Sequence, residues 1–372
     1  MRRAAALALA AALAAGCGDD LAGGPDAGPE DCAPPPGDAP QFDLAGPACR
    51  SLSSYRFFAD GPAQVPAEGV VPYEVNSALF SDHASKHRFL WLPPGASMRY
   101  QAEGAFELPV GSVLIKTFGY LADLRDPSAG ERLVETRLLV HGEDGWYGLV
   151  YLWDEAQADA HLQVAGAVVP VEWIHKDGEP RALDYLVPNT NQCAQCHVSD
   201  QVAEPIGVRA RHINRDFAYP DGVDNQLAYL TRAGLLTGAP ADPDQAPRAA
   251  VWDDPTTGTV AERARAWLDI NCAHCHSPGG PARTSGLDLR ASQEEPARYG
   301  VCKPPVAAGG GSGGRQYGIV PGAPDESILV YRLESVEPDV RMPELLRQTV
   351  HEESLALVRE WIAAMEGSCG AE

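Results

Sequence analysis

The sequence predicts an α+β, multidomain chain: an antiparallel β sandwich or barrel-like domain followed by an all-α domain. Three observations carry that expectation. The chain has 372 residues, enough for more than one buried core. Its middle holds β-branched and aromatic runs separated by Gly and Asp turns. Its last third changes to helical spacing, with Leu355, Val358, Ile362 and Met365 on one stripe. The 29 Lys+Arg stand against 51 Asp+Glu, a net charge of −22, which excludes a nucleic-acid partner because phosphate binding needs clustered cations. Hydrophobic residues at 45% exclude a disordered chain.

The first element is an address. Met1-Arg2-Arg3 precedes an apolar run from Ala4 to Gly16 that is too short to span a bilayer, so residues 1–16 read as a secretory signal. The run ends in Leu13-Ala14-Ala15-Gly16-Cys17, which resembles the lipobox of bacterial lipoproteins. The resemblance implies lipidation of Cys17 and a chain anchored to a membrane, facing the periplasm. Gly18 after the lipidated Cys leans toward the outer membrane by the same rules. Residues 17–50 are rich in Pro, Gly and Asp and read as an extended tether.

Residues 51–250 should form the β-rich domain with a helical extension. "SVLIKTFGY" (112–120) reads as a strand, and "RLVETRLLVHGEDGWYGLVYLWDE" as two strands about the turn at 142–145. "VVPVEWIHKDGEPRALDYLV" supplies two more about Asp177-Gly178, with Pro170 marking an edge or a bulge. "NQLAYLTRAGLLTG" is helical and ends at a glycine cap. Residues 251–372 should form the α domain: "AERARAWLDI" opens it, "GGGSGG" (309–314) interrupts it, and a helix with a Thr349–Glu352 capping box closes it.

Two short motifs carry the chemistry. Cys193-Ala194-Gln195-Cys196-His197 and Cys272-Ala273-His274-Cys275-His276 are both Cys-x-x-Cys-His, the attachment pattern of c-type haem. Two thiols add to the two vinyl groups of one porphyrin, and the adjacent His reaches the iron. The candidate cofactor is therefore two covalent haem c groups, with His197 and His276 as iron ligands. A four-Cys zinc site needs no His after each pair, and a thioredoxin-like pair needs a βαβ context that is missing around both. One Cys for lipid and four for haem leave Cys32, Cys49, Cys302 and Cys369. Four cysteines allow three pairings, and pairing within each segment favours Cys32–Cys49 and Cys302–Cys369.

The second motif lies between two helices and is followed by "RMPE". This resembles the class I cytochrome c domain, in which a Met before a Pro supplies the sixth iron ligand; the resemblance assigns that role to Met342. Met ligation raises the potential. No Met-Pro follows the first motif, so its sixth ligand is open among His212, Met98 and no ligand at all. His274, between the two cysteines, is expected to face solvent.

Taken together, "TFGYLADLRDPSAGERLVETRLLV", "NTNQCAQCH", "NCAHCHSPGGPA" and "RMPELL" resemble a family of bacterial dihaem c-type cytochrome lipoproteins. "GSVLIKTF", "EDGWYGLVY" and "NQCAQCH" are also similar in order to cytochrome P460, whose strand Lys cross-links to haem; the matching position is Lys116. These resemblances imply a membrane-tethered electron carrier of the cell envelope, whose acidic surface suits a basic redox partner. The alternative is a haem enzyme, with the first haem catalytic and the second relaying electrons.

Overall fold

The computed structural model describes residue 32 and residues 37–370. The signal (1–16), Cys17 and most of the segment read as a tether lie outside them. Among the described residues no helix is long and apolar enough to cross a membrane.

The centre is one six-stranded antiparallel meander. Its strands follow chain order: β1 (Val70–Pro72), β2 (Ser85–Trp91), β3 (Val113–Leu121), β4 (Glu131–Gly142), β5 (Gly145–Trp153) and β6 (Ala160–Leu162). The β4–β5 turn falls at Gly142–Gly145, where Gly145 has φ of +115°. Such a conformation suits glycine. A separate hairpin, β7 (Ala167–Ile174) and β8 (Pro180–Val187), turns at Asp177-Gly178. Pro170 is tolerated on β7 because that strand pairs on one side only.

Alternation along the strands divides the sheet into two faces. One face sends Phe89, Trp91, Val113, Ile115, Leu138, Val140 and Tyr151 into a core with Leu52, Tyr55 and Phe57. Phe42, from the segment read as tether, stacks on Tyr55 at 4.9 Å, so that segment's final residues dock on the body. The opposite face sends Leu90 and Leu114 against Met98, Val208, Ile213 and Leu227. Further along it, Phe118 and Val150 pack on Val171, Trp173 and Tyr185 of the β7–β8 hairpin.

The α-helices are six and short among the described residues: α1 (Thr190–Cys196), α2 (Ala210–Ile213), α3 (Gln226–Arg232), α4 (Val260–Leu268), α5 (Ile328–Glu334) and α6 (Glu352–Ala363). This corrects the expected fold class. Among the described residues no β sandwich or barrel forms, because one open six-stranded sheet stands beside five separate two-stranded pieces, the β7–β8 hairpin among them. Among the same residues no all-α class I cytochrome c domain follows it. The longest helix, α6, has 12 residues, and turns and irregular chain fill most of the span between α4 and α6. Prolines at 278, 281, 296, 304, 305, 321, 324, 338 and 343 explain this, since each removes a backbone donor and blocks a helix interior.

The helices that do form have local causes. Asn189 and Gln192 cap α1 reciprocally, and Thr259 with Glu262 do so for α4. The box expected at Thr349 is absent: the α6 N-cap is His351, and the Thr349 hydroxyl donates to Asp82 instead. Helices α4 and α6 still bury Trp267, Leu268, Val358 and Ile362 together. Loop 76–83 ties this region to the sheet. Asn271 accepts from the Phe80 N–H at 2.7 Å, and the buried Asp82 carboxylate accepts from the N–H groups of Gln348 and Thr349.

Candidate haem-attachment centre

The first motif ends helix α1. Cys193 and Cys196 are three residues apart, so one helical turn presents both on one side. The helix lies on β5, where Gly148 makes room: a Cβ there would stand 3.0 Å from Cys193 Sγ. His197 caps the helix and is clamped by one residue on both sides. Its carbonyl accepts from the Glu204 N–H at 2.8 Å, and its Nδ1 lies 3.1 Å from the Glu204 carbonyl. A carbonyl only accepts, so Nδ1 carries the proton and Nε2 keeps its lone pair.

The second motif grows out of α4. The helix loosens into a π-helical turn, Asp269–Ala273, that contains Cys272. Such turns mark functional places in helices. His276 Nδ1 lies 3.0 Å from Ser285 Oγ, a hydroxyl that can accept from Nδ1 or donate to it. Burial is the main reason both His197 and His276 are pushed down to about 4. Neutral imidazole is the form that binds a metal.

The two motifs meet. The Cys196 thiol faces Cys275 and the imidazole of His274. His274 is therefore turned toward the first motif and half-buried, not toward solvent as expected. Just beyond, the Asp200 N–H donates to the Gly279 carbonyl at 2.8 Å. The segments pass closely at this crossing, where a Cβ on Gly279 would stand 2.7 Å from Ser199 Oγ.

The sulfur inventory separates cleanly. Cys32–Cys49 and Cys302–Cys369 are disulfides, while Cys193, Cys196, Cys272 and Cys275 are free thiols. Among the described residues no group of three or more His, Cys, Asp or Glu side chains converges as a metal cage would require. Two free thiols per motif, each beside an imidazole whose Nδ1 is already engaged, are the donor set that covalent haem uses.

The sixth-ligand candidates lie in different places. Met342 lines a small apolar cleft with Phe80, Trp267, Asn271, Leu333 and Pro343, one residue from Cys272 through Asn271. Its N–H donates to the Arg332 carbonyl at 3.0 Å, and the Arg332 charge adds to the lowering of His276. His212 is buried beside the turn of the second motif. Its Nε2 lies 3.4 Å from Asp269 Oδ2, and its Nδ1 has no partner among the described residues. Met98 is fully buried in the core and fills space there.

Sequence reading missed the residues that position the motifs: Glu204, Ser285, Gly148 and Gly279. Their roles depend on approaches between segments remote in the chain, for which no local pattern exists. It also missed Arg88 and Arg137, which follow polar residues on their strands, unlike Lys116, the lone cation in the apolar run of β3. No protein-family model, curated protein or solved structure matches this chain.

Proposed function

We propose that this chain is a dihaem c-type electron-transfer protein, tethered through Cys17 to a membrane of the cell envelope and facing the periplasm. The observation that carries the reading is that both Cys-x-x-Cys-His motifs keep two free thiols beside a half-buried histidine, while the other four described cysteines pair as disulfides. Cys193, Cys196 and His197 would hold one haem; Cys272, Cys275 and His276 would hold the other. Haem supplies reversible one-electron chemistry when bound. The chain's own part is to hold the two attachment points together, to fix each imidazole and to exclude water. The Glu204 carbonyl fixes the tautomer at His197, Ser285 holds the ring of His276 in place, and the apolar cleft at Met342 does the third task. Met342 is the proposed sixth ligand at the second motif. The net charge of −22 supports a basic protein as redox partner, with association rates that fall as salt rises.

The test is covalent mass and carbon monoxide. The protein, produced with haem maturation machinery, should yield two haem-bearing peptides, one per motif. Carbon monoxide added after dithionite reduction should leave the second haem unchanged in the wild type and shift it in Met342→Ala. A wild-type shift means an open first haem and turns the reading toward an enzyme. Peptides without haem would end it.

A further inference from the structure

Strands β2, β3 and β4 pair so that Arg88 lies directly opposite Lys116, and Lys116 directly opposite Arg137. Directly opposed residues share a face, so three cations form one row across the sheet. Like charges in that relation repel. Two of the three are answered by carboxylates: Arg88 by Glu74 at 3.2 Å, and Arg137 by Glu135. Lys116 has no hydrogen-bond or ion-pair partner among the described residues. Its ammonium sits 4.7 Å from the centre of the Phe118 ring, which also receives Arg137 at 4.3 Å and Lys86 at 5.8 Å. Three cations thus surround one ring and Arg88 stands beside them in the row, four positive side chains with two carboxylates to balance them, in a chain that is acidic overall.

The row faces the first motif. Leu139 and Arg137 are two apart on β4 and so share a face; their partners on β5 are Gly148 and Val150. Gly148 is where Cys193 rests. The unpartnered Lys116 amine, whose charge burial and then Arg88, Lys86 and Arg137 disfavour, and the Cys193 thiol therefore occupy neighbouring positions on one side of the sheet. We propose that Arg88, Lys116 and Arg137 form an oxyanion site beside the first motif, with Lys116 as the residue that meets the anion. The ligand chemistry is a carboxylate or a comparably small oxyanion. Its source is either the propionates of the first haem, which rests on the functional reading above, or a free anion entering from solvent.

Lys116→Gln and Lys116→Arg decide this in the haem-loaded protein, after peptide mass has confirmed haem on Cys193 and Cys196 and circular dichroism has confirmed the fold. If propionate is the ligand, the propionate bending band of the resonance Raman spectrum moves in Lys116→Gln and returns in Lys116→Arg, while added acetate and nitrite do nothing. If a free anion is the ligand, acetate or nitrite, but not chloride at equal ionic strength, shifts the first haem saturably. That affinity then falls at least tenfold in Lys116→Gln and survives in Lys116→Arg. A loaded, folded Lys116→Gln protein with an unmoved band and unchanged response to both anions overturns the proposal. Should no haem attach, the functional reading fails and the site is judged on the unloaded chain. Acetate should then raise its thermal midpoint in the wild type and not in Lys116→Gln, and no rise in the wild type overturns the site as well.

Discussion

Asp82→Ala should loosen the segment that carries Met342 and lower the stability of the whole chain. The Asp82 carboxylate is 1% exposed and accepts three hydrogen bonds: from the Gln348 N–H at 2.9 Å, and from the Thr349 N–H and hydroxyl at 2.8 Å each. Removing it leaves two buried N–H groups and one hydroxyl without their acceptor. At roughly 1 kcal/mol per orphaned donor the loss is about 3 kcal/mol. That corresponds to a thermal midpoint lower by roughly 4 °C, at about 2.1 cal/mol/K of unfolding entropy per residue. Asp82→Asn keeps one acceptor oxygen but turns an amide toward a donor, so it should lose about half as much. Thr349→Val removes the hydroxyl alone and should cost about 1 kcal/mol. Urea denaturation of the four proteins in the cycle gives the coupling directly, expected at about 1 kcal/mol because the hydroxyl and the carboxylate are one contact. An Asp82→Ala protein within about 0.5 kcal/mol of wild type, with an additive cycle, would refute the reasoning.

Other consequences are open to measurement. Gly148→Val drives a side chain into Cys193, where even a Cβ would stand 3.0 Å from the sulfur; it should cost about 1–3 kcal/mol by denaturation, with Gly148→Ala costing less. His83 packs against His175 at 4.7 Å and faces His351, Glu353, Lys176 and Lys86; burial and then His175 lower it to about 4. A depressed imidazole stays neutral in the fold while the unfolded chain protonates near 6.5, so stability is full above that pH and falls toward pH 4. The loss is on the order of 2–3 kcal/mol, and His83→Gln should flatten the pH profile of the urea midpoint. Cys302–Cys369 closes 67 residues, so Cys302→Ala with Cys369→Ala should cost up to about 4 kcal/mol, and a reductant should destabilise the wild type more than this variant, which keeps only Cys32–Cys49.

Local chemistry was readable wherever neighbours in the chain decide it. The β4–β5 turn at Gly142–Gly145 and the β7–β8 turn at Asp177-Gly178 are matters of backbone conformation, and short-range pattern finds them. The Cys-x-x-Cys-His spacing is likewise local, because one helical turn aligns the two thiols. Helices α4 and α6 were legible from their apolar stripes, yet their class of fold was not. A stripe says which side of a helix is buried and is silent on whether the chain between two helices can itself coil, and here the prolines prevent it.

What only the folded chain decided are the meetings. Thr349 stands three residues before Glu352, the spacing of a capping box, but Asp82 from a distant loop takes its hydroxyl. A buried carboxylate gains more from three donors than a helix end gains from one, so the long-range partner wins. Arg88, Lys116 and Arg137 became a row only through strand register, since a shift of one residue would have sent Lys116 to the opposite face. The two Cys-x-x-Cys-His segments meet where the Asp200 N–H donates to the Gly279 carbonyl, across residues remote in the chain. Sequence alone determined which atoms are competent to attach, ligate and pair, because those properties belong to residue type and spacing. Tertiary structure decided which of them come within reach, because burial, register and close approach are properties of the packed chain.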